Sequence, residues 1–366
     1  MKPFRWGILG TGYVARKFAL GLRAAREMGV GAVASRSGGN ARAFASALKV
    51  PAAFASYEAA VREADVDAFY IATPPTTHRD LALMCIRAGK PVLVEKPFAE
   101  NADAAGEIIE AARATKVFCM EAMWTRFLPA VAKVKALIEA GALGDIHLMT
   151  GSFGLAETEG PQNALFDPAL GGGALLDRAV YPLSLAFHLM GAPSGVTGET
   201  TMTARGVDAQ AALTLRYPNG ALATLTASLR TAASNDFVIM GSKARIRIDG
   251  PIYRPSRIEI TPVEAMTRGA GGFSRSEAIK ESGMVHGLYQ RLSPLMKRGT
   301  RTISAYYAGN GYHYEALEVM RCVRAGQSES ALMPLDETQA ILETIDMLRV
   351  GEAAGQLLKA GSGRNA

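Results

Sequence analysis

FRWGILGTGYVA, residues 4–15, decides the fold of the first third of the chain. Phe4–Leu9 reads as a strand, and residues 14–28 carry a helical pattern. Between them stands Gly10-Thr11-Gly12-Tyr13-Val14-Ala15, the glycine-rich turn of a dinucleotide fingerprint with alanine as its last small residue. Gly10 permits the tight turn, and Gly12 lets a pyrophosphate approach the backbone. Ala15 lets helix pack closely on strand. The helix start then offers free N–H groups to the phosphates, with Thr11, Tyr13 and Val14 completing the loop.

Working outward, the second strand, Val30–Ser35, should end where an adenosine ribose would lie. A chain reading NAD carries an acid there to bond the 2′-hydroxyl. This one has Ser35-Arg36-Ser37, and a guanidinium suits a 2′-phosphate, so NADP is expected over NAD. Alternation continues with a helix over 40–48, a strand near 52–55, a helix opened by Ser56, and a strand over 67–72. That strand runs into TPPTTH (residues 73–78) and a helix over 77–88. Thr73 and Pro74, at a strand's carboxyl end, should border a nicotinamide, with His78 as a hydrogen-bonding wall residue.

VLVEKPF (residues 92–98) reads as a buried parallel strand that stops at Glu95-Lys96-Pro97. Ligands of open α/β sheets sit outside the carboxyl ends of the strands, so Glu95 and Lys96 should face the site. Lys96-Pro97 is a candidate cis peptide. A helix over 102–115 capped by Asn101 and a strand over 117–121 close the alternation. The boundary is set at residue 123: a Rossmann-like α/β domain over 1–123 and an α+β domain over 124–366. MWTRF (residues 123–127) is read as the hinge.

In the second part, after a helix over 129–140 and a strand over 146–153, strands follow strands: 195–204, 208–217, 220–230, 233–241, 243–249 and 256–261. This pattern predicts a large, mostly antiparallel open sheet flanked by helices. Residues 264–308 read as irregular, a lid or an oligomer contact. Helices over 312–325 and 336–350 follow, the second capped by Asp336 after Pro334, and residues 361–366 read as a frayed tail.

The 366 residues, 49% hydrophobic and 20% charged, describe a globular chain of two domains. No apolar run is long enough to span a bilayer, and no leader is read at the amino terminus. Cys85, Cys119 and Cys322 are far apart, without metal spacing, and read as reduced core thiols. A cytoplasmic location and no metal are expected. The net charge of +6 is concentrated between Arg254 and Arg301 with no nucleic-acid motif, so a solvated loop or a mouth attracting anionic ligands is the economical reading.

The second chemical stretch is FDPALGGGALLDRAVY (residues 166–181). Its three glycines are expected to let backbone approach a bound ring before a helix begins. Asp177 and Tyr181, four apart, share one face of that helix. An acid and a phenol there suit holding a polyol and moving its proton.

These residues together resemble the glucose–fructose oxidoreductase / inositol dehydrogenase (Gfo/Idh/MocA) family, most closely its dimeric dihydrodiol dehydrogenase and NADP-dependent D-xylose dehydrogenase branch. The resemblance spans residues 4–350. Besides the stretches above, IATP (71–74), MEAMWTRF (120–127), GNGYHYEA (309–316) and MPLDE (333–337) carry it. It implies hydride transfer between a nicotinamide and a carbon of a small sugar, polyol or cyclic trans-diol bound between the domains. Lys96 matches the family's essential lysine, Tyr181 its acid/base and Asp177 the acid beside it. Trp124, Arg126 and Phe153 fall where the branch lines its cleft. The branch usually has an aliphatic residue and glycine where this chain has Arg178-Ala179, so a substrate with an acidic group is one expectation.

The implied chemistry has Lys96 lowering the Tyr181 pKa by roughly 1–3 units and bonding the reacting oxygen, with Asp177 orienting Lys96. The broad sheet of the second part needs cover, so a homo-oligomer, a dimer first, is expected. The alternatives are a non-catalytic NADP-responsive regulator on the same scaffold, or an inositol or anhydro-sugar dehydrogenase of the same family.

Overall fold

Six parallel strands, β1 (Phe4–Leu9), β2 (Met28–Ala34), β3 (Ala52–Phe54), β4 (Ala68–Ile71), β5 (Val92–Glu95) and β6 (Cys119–Ala122), form the first sheet in the computed structural model. The structure describes residues 2–160, 162–263, 282–292 and 299–362. The helices between these strands are α1 (Tyr13–Gly21), α2 (Gly38–Leu48), α3 (Tyr57–Glu63), α4 (His78–Arg87) and α5 (Ala102–Thr115). Ala68–Ile71 and Val92–Val94 are wholly buried, because a parallel sheet with helical crossovers is covered on both faces. Strand order is β3-β2-β1-β4-β5-β6, so the winding reverses between β1 and β4. The turns after β1, β4 and β5 therefore open onto one carboxyl edge, where such sheets bind ligands.

Caps fix the helices locally. Ser37, Ser56 and Asn101 each accept a bond from the backbone N–H three residues on. The first helix is shorter than its pattern suggests, ending at Gly21 with a 3₁₀ turn over Leu22–Ala24. Gly21 packs so tightly on Asn310 and Tyr312 that a Cβ there would overlap both.

After a buried 3₁₀ turn over Trp124–Phe127 and α6 (Pro129–Glu139), the second sheet begins with β7 (Ile146–Gly154). It continues through β8 (Gly195–Met202), β9 (Asp208–Arg216), β10 (Leu222–Ser228), β11 (Phe237–Gly241), β12 (Ala244–Ile248), β13 (Arg257–Pro262) and β14 (Arg301–Ser304). The order is β14-β13-β12-β11-β7-β10-β9-β8, and among the described residues only β7 and β10 pair in parallel. Burial alternates along β10 and β12, as it should when one face is packed and the other is not. The apolar helix α7 (Val180–Met190) covers the packed face at β7 and β10.

The region read as irregular, 264–308, is partly ordered: it holds α8 (Gly283–Leu292) and β14, which pairs with β13. Residues 264–281 and 293–298, and most of the cations of the basic segment, lie outside the described residues, as do 363–366 of the tail. α9 (Tyr312–Arg324) and α10 (Leu335–Ser362) complete the chain. Asp336 is not the cap of α10. It lies inside the first turn, where its carboxylate pairs with Arg113 at 2.9 Å and suits the helix dipole. α10 packs on α5, β6 and β8, tying the two sheets together. Among the described residues no helix is long and apolar enough to cross a membrane. All three cysteines are buried free thiols.

Candidate active site

The β1–α1 turn has the shape a dinucleotide pyrophosphate needs. Gly10 has φ +114, and a Cβ there would sit 2.3 Å from the Ala72 carbonyl, so only glycine fits. Gly12 has nothing within 4 Å of a Cβ position, and as N-cap of α1 it supplies no capping side chain. The first N–H groups of α1 are thus left to an anion. Ala15 is fully buried at the closely packed helix start. At the end of β2, Ser35 is buried, and its hydroxyl accepts from Ser37 N at 3.2 Å. Arg36 is exposed beside the amino terminus of α2. Arg42, which sequence reading passed over, lies next to Gly38 at that same helix start.

His78 braces the adjoining loops. Its ring nitrogens meet the Pro97 carbonyl at 3.0 Å and the Thr73 carbonyl at 2.9 Å. It thereby joins the ends of β4 and β5 from behind, and at 1% exposure it touches no cleft. Thr73 also accepts a bond from the Thr77 hydroxyl, and Pro74 opens the short turn that follows. The Lys96–Pro97 peptide is cis.

From the end of β5, Lys96 reaches across to the second part of the chain. Its Nζ donates to Asp177 Oδ1 at 2.7 Å and to the Asp177 carbonyl at 3.2 Å, and stands 5.0 Å from the centre of the Tyr181 ring. Both side chains of the pair are largely enclosed, 11% and 19% exposed. Asp177 lies in a π-helical turn, Leu175–Ala179, that precedes α7, so it and Tyr181 still share a face although the turn is wider than an α-turn. The Tyr181 hydroxyl accepts from Trp124 Nε1 at 3.3 Å.

Aromatic rings wall this centre. Trp124 stacks on Tyr312 at 4.4 Å, Phe153 meets Tyr181 edge-on at 5.1 Å, and Tyr253 lies over Phe153 at 5.4 Å. They enclose a cleft of about 410 Å³ that also admits Tyr13, Val14, Glu95 and Asn310. Tyr253 carried no local signal. Asn310 and Tyr312 sat in a quoted stretch without a role.

Three expectations fail here. Arg126 is not in the cleft: its guanidinium has no exposed surface and bonds Ser184 Oγ at 2.7 Å, the Ser184 carbonyl at 3.0 Å and Glu337 at 2.7 Å. The three glycines serve protein neighbours. A Cβ at Gly172 would strike the Leu165 carbonyl and one at Gly173 the Asp208 carboxylate. Nor does Lys96 set the phenol low. Burial pushes the Tyr181 hydroxyl up to about 12, and Lys96 offsets only part of that. Burial would also raise Asp177, but Lys96 and Arg178 outweigh it and hold the carboxyl below its usual range. Burial opposes the Lys96 charge too, yet Asp177 raises its pKa above the ordinary value.

Behind the cleft lies a buried acidic group that the reading assigned no role. Glu315 is fully buried, with neither carboxyl oxygen bonded among the described residues. Burial, then repulsion from Glu95, holds its pKa well above the usual carboxylate range. Glu95, which accepts from Tyr70 at 2.7 Å, is raised as well, chiefly by burial. A raised folded pKa means the native state binds more protons than the unfolded chain. Stability is then lost as pH climbs above about 4.5, by at most about 1.4 kcal/mol per pH unit for each such group. Glu315→Gln, neutral at every pH, is expected to match the parent near pH 4.5 and exceed it increasingly toward pH 8. Denaturant midpoints at the two pH values check this, and an equal offset at both would refute it.

Comparison with known proteins agrees with this architecture. Residues 4–123 match the family model described as an oxidoreductase family with an NAD-binding Rossmann fold, and residues 131–247 match the GFO/IDH/MocA C-terminal domain. The trans-1,2-dihydrobenzene-1,2-diol dehydrogenase of Bos taurus is 30% identical over 349 residues, 94% of this chain and 96% of that protein. Two solved structures share the fold. The 3-ketoreductase KijD10 of Actinomadura kijaniata with NADP and TDP-benzene has TM-score 0.77 and 22% identity, covering 96% of this chain and 98% of its own. Levoglucosan dehydrogenase with NADH and levoglucosan has TM-score 0.80 and 19% identity, with the same coverage. With both family domains matched in order along one chain, this protein belongs to the Gfo/Idh/MocA oxidoreductases, NAD(P)-dependent dehydrogenases acting on CH–OH groups.

Proposed function

We propose that this chain is an NADP-dependent dehydrogenase that interconverts a hydroxyl-bearing carbon and a carbonyl on a small sugar, polyol or cyclic trans-diol. The observation that carries this reading is Lys96 Nζ held between Asp177 and the Tyr181 ring at the base of a ring-walled cleft. Trp124, Phe153 and Tyr253 give the cleft an apolar wall, and the 30%-identical relative is named for a cyclic trans-diol. When bound, the nicotinamide supplies the hydride acceptor or donor.

The chain's own residues do the rest. In the oxidative direction the Tyr181 oxygen takes the proton from the substrate hydroxyl, and it returns that proton in reduction. Lys96 donates a hydrogen bond to the reacting oxygen as charge develops there. Asp177 keeps the ammonium charged and aimed, since its carboxylate and its backbone carbonyl both hold Nζ. Trp124 Nε1 fixes the direction of the phenol. Reduction or oxidation of added NADP(H) with a panel of pentoses, hexoses, inositols and trans-diols tests the reading. No turnover with any of them would favour the regulator.

NADP preference is supported by Arg36, by the adjacent amino terminus of α2, and by the lack of an acid after β2. Arg36→Ala is expected to weaken NADP binding roughly 10–100-fold with little change for NAD, because a charge-assisted contact contributes about 1.5–3 kcal/mol. Calorimetric titration with each cofactor decides it, since equal losses would mean Arg36 does not read the phosphate. Buried free thiols support a cytoplasmic location, and the uncovered face of the second sheet supports a homodimer.

A further inference from the structure

The cleft's charges do not cancel. Its carboxylates are all engaged: Asp177 between Lys96 and Arg178, and Glu95 with the Tyr70 hydroxyl. Arg178 is engaged too, by Asp177 at 2.9 Å and by Glu157 at 2.5 Å, with its guanidinium over the Phe153 ring. Its charge is therefore taken up within the protein. Two cations on the lining are left. Lys17, on α1, and Arg254, in the loop before β13, have no acidic partner among the described residues.

Both line the cleft, and they come one from each part of the chain. Lys17 lies 5.2 Å over the Tyr13 ring and Arg254 5.8 Å from the Tyr253 ring, contacts that steady the side chains without neutralising them. One short segment anchors both backbones. Asn310 Nδ2 donates to the Lys17 carbonyl at 2.8 Å, and the Tyr307 hydroxyl donates to the Arg254 carbonyl at 3.4 Å. A neutral polyol has no charge to set against two unpaired cations, whereas an anion does. An anion needs what the rim has spare.

We propose that the substrate carries an anionic group, a carboxylate or a phosphate ester, seated between Lys17 and Arg254 while its hydroxyl-bearing carbon lies at Lys96 and Tyr181. This rests on the dehydrogenase reading above and narrows its substrate class. The anion bridges the two parts of the chain across the cleft mouth. The same pair draws acidic molecules toward the opening, an effect that salt screens.

The test uses three compounds that differ at one carbon: D-glucose, D-glucuronate and D-glucose 6-phosphate. Binding to the full chain saturated with NADP is measured by calorimetry, alongside turnover. At least one anionic compound is expected to bind tenfold or more tightly than glucose. The tighter of the two tells carboxylate from phosphate. Lys17→Gln and Arg254→Gln should each weaken that compound about tenfold and lower its sensitivity to salt, with NADP affinity within about twofold of the parent. Glucose binding as well as both anions would overturn the proposal. So would a Lys17→Gln loss that falls on NADP, which would make Lys17 a cofactor contact. Tight anion binding without turnover would uphold the anion site and count against the dehydrogenase reading instead.

Discussion

Tyr181→Phe is expected to lower kcat by roughly 10²–10⁴-fold while NADP affinity stays near that of the parent. Phenylalanine keeps the ring that packs edge-on against Phe153 and removes only the oxygen that Trp124 holds in place. Lys96→Ala should cost at least as much, since it removes the donor to the reacting oxygen and leaves Asp177 facing Arg178 alone. The double variant should fall far short of the summed losses, because each group acts through the other. The pH profile separates the roles. Burial holds the Tyr181 hydroxyl up near 12, and Lys96 is the largest influence bringing it down. Removing Lys96 therefore moves the acidic limb of kcat for oxidation, and the basic limb for reduction, to higher pH, whereas removing the phenol abolishes that limb. Parent-like turnover by Tyr181→Phe would show that another group moves the proton.

What the sequence made legible was chemistry confined to short stretches. The Gly10–Ala15 turn, the Ser35-Arg36 end of β2 and Glu95-Lys96-Pro97 each sit where backbone geometry alone sets their environment. The parallel sheet followed from the same alternation, and the second sheet from strand after strand. What stayed hidden depends on partners remote in sequence. The bonding of Arg126 to Ser184 and Glu337 joins three elements of the second part, and no local pattern announces it. Gly173 answers to Asp208 on β9, so a glycine run that reads as a ligand approach is a packing requirement. The rise in the Tyr181 pKa had the wrong expected sign because Lys96 could be read from the sequence and the depth of burial could not. Tyr253 follows a loop whose path only the folded chain defines. Charge balance is hidden in the same way: Arg178 reads as an added cation in the stretch, yet Glu157, remote in sequence, takes up its charge.

Arg126→Ala, for the same reason, should behave as a stability variant. A guanidinium with no exposed surface loses two bonds to Ser184 and an ion pair to Glu337, and leaves a void beside α7. Removing one partner of a buried pair typically costs 3–5 kcal/mol. Here Glu337 is 31% exposed and can rehydrate, which places the loss nearer about 3 kcal/mol. Arg126→Met should recover part of it, because an unbranched apolar chain refills the volume without a charge to compensate. Urea unfolding of parent and both variants gives the ordering, parent above Met above Ala. Substrate KM, measured below the unfolding range, should stay within about twofold of the parent in both, since the side chain stands behind the Trp124–Phe127 turn and not in the cleft. A large rise in KM with an unchanged urea midpoint would return Arg126 to the substrate site and displace the structural assignment.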